Sequence, residues 1–180
     1  MGMKDQKTEL KQYLSFTLGE EEFALEIDRV REVLGYPVIT VVPRMPDYLR
    51  GVINLRGNVV PVVDLRLKFN MSKTQRTVDT CVVIVEAMLE GEVTVMGLLT
   101  DSVEEVTDLS ASEIEPPPRM GNRLNTDFLK GMGKQGERFM LLLDIDKVLS
   151  SEELETLSTA VNIAKGAATE AAMEAMGKEA

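Results

Sequence analysis

The chain repeats itself, and that limits the folds open to it more than any other feature. "YLRG" at 48–51 returns as "FLKG" at 128–131, and "VVPVVDL" at 59–65 returns as "FMLLLDI" at 139–145, both at the same spacing. Nearer the start, "DRVREV" at 28–33 falls on "DSVEEV" at 101–106, and Ala24-Leu25 falls on Gly97-Leu98, at a slightly shorter spacing. The difference is absorbed in the Pro-rich stretch "SEIEPPPRMGNRLNT". The chain is therefore two copies of one unit of about 70 residues, a period that marks a duplicated supersecondary block. The first copy spans roughly residues 12–70 and the second roughly 79–149.

Each copy reads as β-structure. "YLSFTL" (13–18) alternates and "FALEI" (23–27) follows a turn, which predicts a hairpin. "VITVV" (38–42) is β-branched and should end as a strand at Pro43, while Pro37 keeps that edge short. "VIN" and "VVPVVDL" flank Gly57-Asn58, a candidate two-residue hairpin turn. "TCVVIVEAML" (80–89), "EVTVMGLLTD" (92–101) and "RFMLLLDI" (138–145) continue the pattern. The expected fold is all-β, two small barrels packed together. Only the C-terminal part reads as helix. Ser150 and Glu153 fit a capping box, and Leu154, Leu157 and Val161 follow at helical spacing, which predicts a helix over 150–165. Residues 166–180 are Ala-rich and weakly amphipathic, and are expected to form a flexible tail.

Duplication also separates scaffold from function. Asp64 and Asp144 each follow an apolar strand and precede a short amphipathic turn, the place of an N-cap. Asp28 and Asp101 read as turn residues, and Gly51 and Gly131 as close-approach or positive-φ glycines. Arg56 is different: its counterpart is Gly136, or Gln135 if the turn shifts by one. Two readings fit it equally, a solvated turn residue and an arginine kept for a partner, whose planar fork suits a carboxylate.

Several function classes drop out. There is no histidine, so no His base, triad or ligand exists, and the single cysteine, Cys81, excludes an internal disulfide and a Cys-based zinc site. No metal or cofactor is expected, and no catalytic residues. The net charge of −10 opposes general binding to nucleic acid or anionic membranes. The polar start of the chain lacks an apolar signal core, so a cytoplasmic location is expected.

"YLRGVINLRGNVVPVVDLRLKF", with "FALEIDRVREVLGY", "VMGLLTDSVEEV", "IEPPPRM" and "FLKGMGKQGERFMLLLDIDKVL", resembles the CheW-like coupling proteins of bacterial chemotaxis over residues 12–157. The resemblance implies two interleaved five-stranded SH3-like barrels with a C-terminal helix. It implies a non-catalytic scaffold joining the cytoplasmic hairpin tip of a methyl-accepting chemoreceptor to the regulatory domain of a histidine kinase, in arrays beneath the membrane. An adaptor for another kinase system, controlling surface motility or development, is the alternative. The receptor set carried over is Val30, Glu32, Gly51, Arg56, Val103 and Val106, and the kinase set is Ile39, Val41 and Met45. The valines read equally well as core. Glu32 and Arg56 are expected to pair across a groove between the lobes, a helix-docking cleft in which an apolar stripe binds and charge fixes register.

Overall fold

The computed structural model describes residues 9–117 and 126–178, with side chains as far as residue 166 in the last helix. The polar start and most of the Pro-rich connection lie outside the described residues. Among the described residues eleven strands form two curled sheets. In chain order they are β1 (Leu10–Leu18), β2 (Glu21–Glu26), β3 (Val30–Gly35), β4 (Leu49–Leu55), β5 (Asn58–Asp64), β6 (Cys81–Leu89), β7 (Glu92–Thr100), β8 (Ser102–Ser110), β9 (Ile114–Glu115), β10 (Leu129–Gln135) and β11 (Arg138–Leu143). The described residues also form two α-helices, α1 (Leu65–Lys68) and α2 (Ser151–Lys178).

The sheet orders are β8-β1-β2-β11-β10-β9 and β3-β6-β7-β5-β4. Each sheet joins the hairpin of one copy to the outer strands of the other. β1 and β2 sit among strands of the second copy, and β6 and β7 among those of the first. The junctions are two equivalent parallel pairs, Ala24–Leu142 between β2 and β11 and Gly97–Val62 between β7 and β5. The two orders become the same once each strand is replaced by its repeat counterpart. The interleaved barrels are thus present, with one sheet of six strands rather than five. The sixth, β9, has its counterpart at Thr40, where a strand was expected over 38–42. Only a single bridge forms there: Thr40 and Val52 exchange two backbone hydrogen bonds of 2.8 Å. Pro37 and Pro43 on either side cannot donate to a ladder, which confines pairing to that point.

The apolar runs are continuous because both faces of the central strands are covered. Val63, Val83, Val85, Leu141 and Leu143 enter one large cluster shared by both sheets. Their neighbours Val62, Val82 and Ile84 form a second cluster within the five-stranded sheet, and Met140 and Leu142 a third within the other. A row of stacked rings, Phe16–Phe23–Phe69–Phe128, runs through the shared cluster with centroids 4.4–5.8 Å apart.

The expected caps form. Asp64 accepts from Arg66 N and Asp144 from Asp146 N, each at 3.1 Å. Asp101, expected as a turn residue, instead accepts from distant groups, Gly19 N at 2.6 Å and the Arg66 guanidinium. At α2, Ser150 N donates to Glu153 Oε1 at 2.9 Å and Glu153 N to Ser150 Oγ at 3.2 Å, closing the capping box. Leu157 and Ala160 enter the shared core. The helix runs on to Lys178, past the end expected at 165. Ala-rich sequence supports helix by intrinsic propensity even where it lacks an apolar stripe.

Glu153 also takes the Lys68 ammonium, 2.6 Å from both carboxylate oxygens, and so ties α2 to α1. Partial burial raises its pKa, but the bonds from Lys68 and Ser150 outweigh this and hold it below the ordinary 4.5. A depressed carboxylate adds stability that is complete above the unfolded value and disappears as pH falls through the folded one. Acid titration should therefore loosen α2 below about pH 4.5, and a Glu153→Gln variant should lose that acid step. Circular dichroism against pH, compared between the two proteins, measures it.

Candidate functional site

The turn carrying Arg56 is not the one expected. Leu55 pairs with Asn58, so Arg56 and Gly57, not Gly57-Asn58, form the two-residue loop. Their φ values are 52° and 87°, both left-handed as a type I′ hairpin turn requires. Asn58 is thereby freed to pair in β5, and Asn54 Oδ1 accepts from Gly57 N at 3.0 Å. An L-residue other than glycine is strained by about 1–2 kcal/mol in this conformation.

Arg56 reaches Glu32 on β3 in a bidentate pair, Nη1 to Oε1 and Nη2 to Oε2, both 3.0 Å. The Arg56 side chain is 76% exposed and that of Glu32 24%. The pair forms, but not between the lobes as expected. Both residues belong to the five-stranded sheet, whose two outer strands are β3 and β4, and curling of that sheet brings the end of the β4–β5 hairpin to β3.

The other receptor-set residues divide. Val30 on β3 and Val103 on β8 are half-buried and rest on the shared core, so the core reading fits them in part. Val106 is exposed. β3 and β8 are equivalent outer strands of the two sheets, and both are irregular at these residues. The ladder to β6 shifts register between Val30 and Glu32, and the ladder from β8 to β1 shifts between Val103 and Val106. In the second shift Ser15 Oγ accepts from Glu105 N at 3.2 Å and donates to Glu105 O at 3.1 Å. Bulges of this kind commonly re-aim side chains beside binding sites. Gly51 is buried, with φ of +146°, and a Cβ there would lie 2.2 Å from Thr40 O. It admits the chain segment that carries the kinase set.

Ile39, Val41 and Met45 line one groove of about 370 Å³ together with Arg44 and Lys73. Ile39 and Met45 are half-buried against core clusters, whereas Val41 is 75% exposed. Sequence reasoning missed Val38, which is 89% exposed beside them. It also missed a cleft of about 710 Å³ between α2, the β6–β7 hairpin and the flank of the Arg56 turn. Leu55, Val93, Leu154 and Val161 line this cleft, residues too far apart in the chain to be grouped by pattern. Among the described residues no helix is long and apolar enough to cross a membrane.

A family model described as CheW-like domain matches residues 12–153. The chemotaxis protein CheW of Klebsiella aerogenes is 39% identical over 155 residues, covering 86% of this chain and 89% of that protein. CheW of Rhizobium meliloti is 32% identical over 145 residues, covering 81% and 91%. The crystal structure of the scaffolding protein TtCheW from Thermoanaerobacter tengcongensis superposes with a TM-score of 0.69 at 33% identity, covering 78% of this chain and 92% of that one.

Proposed function

The chain belongs to the CheW-like domain family, and from that premise we propose that it is a non-catalytic scaffold coupling chemoreceptor tips to the regulatory domain of the chemotaxis histidine kinase. The observation that carries this reading is Arg56. An exposed ion pair adds only about 0–1 kcal/mol to folding, while the left-handed backbone at Arg56 costs about 1–2 kcal/mol. Folding alone would favour glycine or asparagine there, so the side chain is held in place for recognition. Its surroundings suit a helical hairpin tip. Val30, Val103 and Val106 offer apolar surface on the two bulged outer strands, and the Glu32–Arg56 pair offers a charge that fixes register. The kinase regulatory domain would dock separately, on Ile39, Val41 and Met45. The scaffold works at the cytoplasmic face of receptor arrays.

Arg56→Gly tests the reading, because it removes the guanidinium and relieves the backbone together. Chemical denaturation should show stability unchanged or raised, within about 1 kcal/mol. Affinity for a purified receptor-tip hairpin should fall by about 1–3 kcal/mol, the range for an interface anchor, with binding to the kinase regulatory domain retained. Equal receptor binding by the two proteins would return Arg56 to a solvated turn residue.

A further inference from the structure

The acidic chain carries one cation-rich stretch. Between Asp47 and Asp79 stand six cations, Arg50, Arg56, Arg66, Lys68, Lys73 and Arg76, and one acid, Asp64, in a protein of net charge −10. The fold sorts these cations into two kinds. Arg50, Arg56, Arg66 and Lys68 are held by Asp64, Glu32, Asp101 and Glu153. Lys73 and Arg76, joined by Arg44 from the preceding loop, have no ion-pair partner among the described residues.

These three share one surface. Arg44 and Lys73 line the groove of Val41, with Asp47 also on its rim and Tyr36 in its wall. Arg76 stacks on the Tyr36 ring at 4.5 Å, which orients its guanidinium beside that groove. Tyr36 also borders the next hollow, lined by Arg76 and Val78. Val41 and Val78, at 75% and 100% exposure, line the same hollows as these cations. Arg44 has a φ of 60°, a second exposed arginine on left-handed backbone. Strain of this sort at a surface side chain points to use by a partner.

We propose that this face takes an acidic protein surface, one that sets carboxylates around an apolar socket for Val41, with Arg44, Lys73 and Arg76 reading the carboxylates. The inference rests on the kinase-docking reading above and adds the chemistry of the partner's side. A protein fits better than a lipid surface, because the apolar contact is a groove of about 370 Å³ lined by Ile39, Val41 and Met45, which a shaped side-chain surface fills and a layer of headgroups does not. Complementary charge speeds encounter and rejects wrong partners, while the apolar contacts retain the complex.

The experiment measures binding of the full chain to a purified kinase regulatory domain at about 0.1 M and about 1 M salt, where the screening length falls from about 10 Å to about 3 Å. Wild type should weaken about tenfold over that range, the lower end of the gain that complementary charge gives to encounter rates. An Arg44→Glu/Lys73→Glu variant should bind about tenfold more weakly at low salt and lose the salt dependence. Val41→Asp should weaken binding at both salts. If Val41→Asp weakens binding but the double variant matches wild type at both salts, the acidic partner surface is wrong and the docking reading stands. If wild type does not bind, or neither variant weakens binding, the docking reading falls and this inference with it. Co-sedimentation with phosphatidylserine vesicles that depends on Arg44 and Lys73 would reassign the face to lipid and overturn the proposal. No sedimentation is expected.

Discussion

Replacing Asp64 with alanine should lower folding stability by about 3–5 kcal/mol, the cost of leaving a buried charge without its partner. The Asp64 carboxylate is wholly buried and faces four donors: Arg50 Nη1 at 3.1 Å, Thr74 N at 3.1 Å, Thr74 Oγ1 at 2.7 Å and Arg66 N at 3.1 Å. Three tasks meet in it. It caps α1, it neutralises Arg50, and it anchors the loop that leads to β6. Arg50 also donates to Thr74 O at 3.3 Å, so the variant would leave a guanidinium poorly matched and the loop tied at one point fewer. Asparagine would not restore the site, because its amide N–H would face donors. Asp144 supplies an internal comparison. It occupies the same place in the second copy and caps Asp146, so Asp144→Ala should cost only about 1 kcal/mol, as loss of an N-cap does. Urea denaturation of the two variants separates the cases. A loss below about 1 kcal/mol for Asp64→Ala would show that the network is not the anchor described.

Gly51→Ala should cost about 3 kcal/mol, at the upper end of overpacking penalties, because two obstacles coincide. The added methyl would meet Thr40 O at 2.2 Å and Ile39 Cγ2 at 2.8 Å, and the φ of +146° disfavours any L side chain. The neighbour is backbone held by its own bridge to Val52, so it cannot rotate aside. Gly131, the repeat counterpart, would place its methyl 2.7 Å from Glu115 O without a positive φ, so Gly131→Ala should lose about 1–2 kcal/mol. Amide exchange at Thr40 and Val52 would report the loosening directly. This prediction bears on the receptor set. A binding defect caused by substituting Gly51 should follow the loss of stability, whereas one caused by substituting Arg56 should not. Equal stability of Gly51→Ala and wild type would mean that the Thr40 segment yields easily.

Much of this was legible in the sequence, for identifiable reasons. The strands buried on both faces, β5, β6 and β11, announce themselves as unbroken apolar runs. The capping box at Ser150 and Glu153 depends on residues three apart and so is visible locally. β3 and β8 were recognised as repeats but not as strands, because Arg31, Glu32, Glu104 and Glu105 on these outer strands dilute the apolar alternation. The duplication alone did not determine which half supplies which strand. The exchange is made by the pairs Ala24–Leu142 and Gly97–Val62, contacts too distant for any local pattern to show. The turn was misplaced by one residue because arginine is a poor choice for a left-handed position, and that misfit is what later singled Arg56 out. The pairing of Glu32 with Arg56 was inferred from opposite charge and matched positions, but its setting depended on the curl of one sheet. Val38 and Val78 were missed because an exposed valine looks like a buried one until the chain is folded.

The exchange of hairpins has a consequence for synthesis. When the first copy has left the ribosome, β3, β4 and β5 lack the β6–β7 hairpin that stands between β3 and β5, and β1 and β2 have no sheet to join. The five-stranded sheet can close once residue 100 has been made, because β3 to β7 are contiguous in the chain. β1 and β2 must wait longer, for β8, β10 and β11 within residues 102–143. The first strands to be synthesised are thus among the last to be covered, and a nascent chain of this design depends on quick elongation or on a chaperone to shield its waiting hairpin.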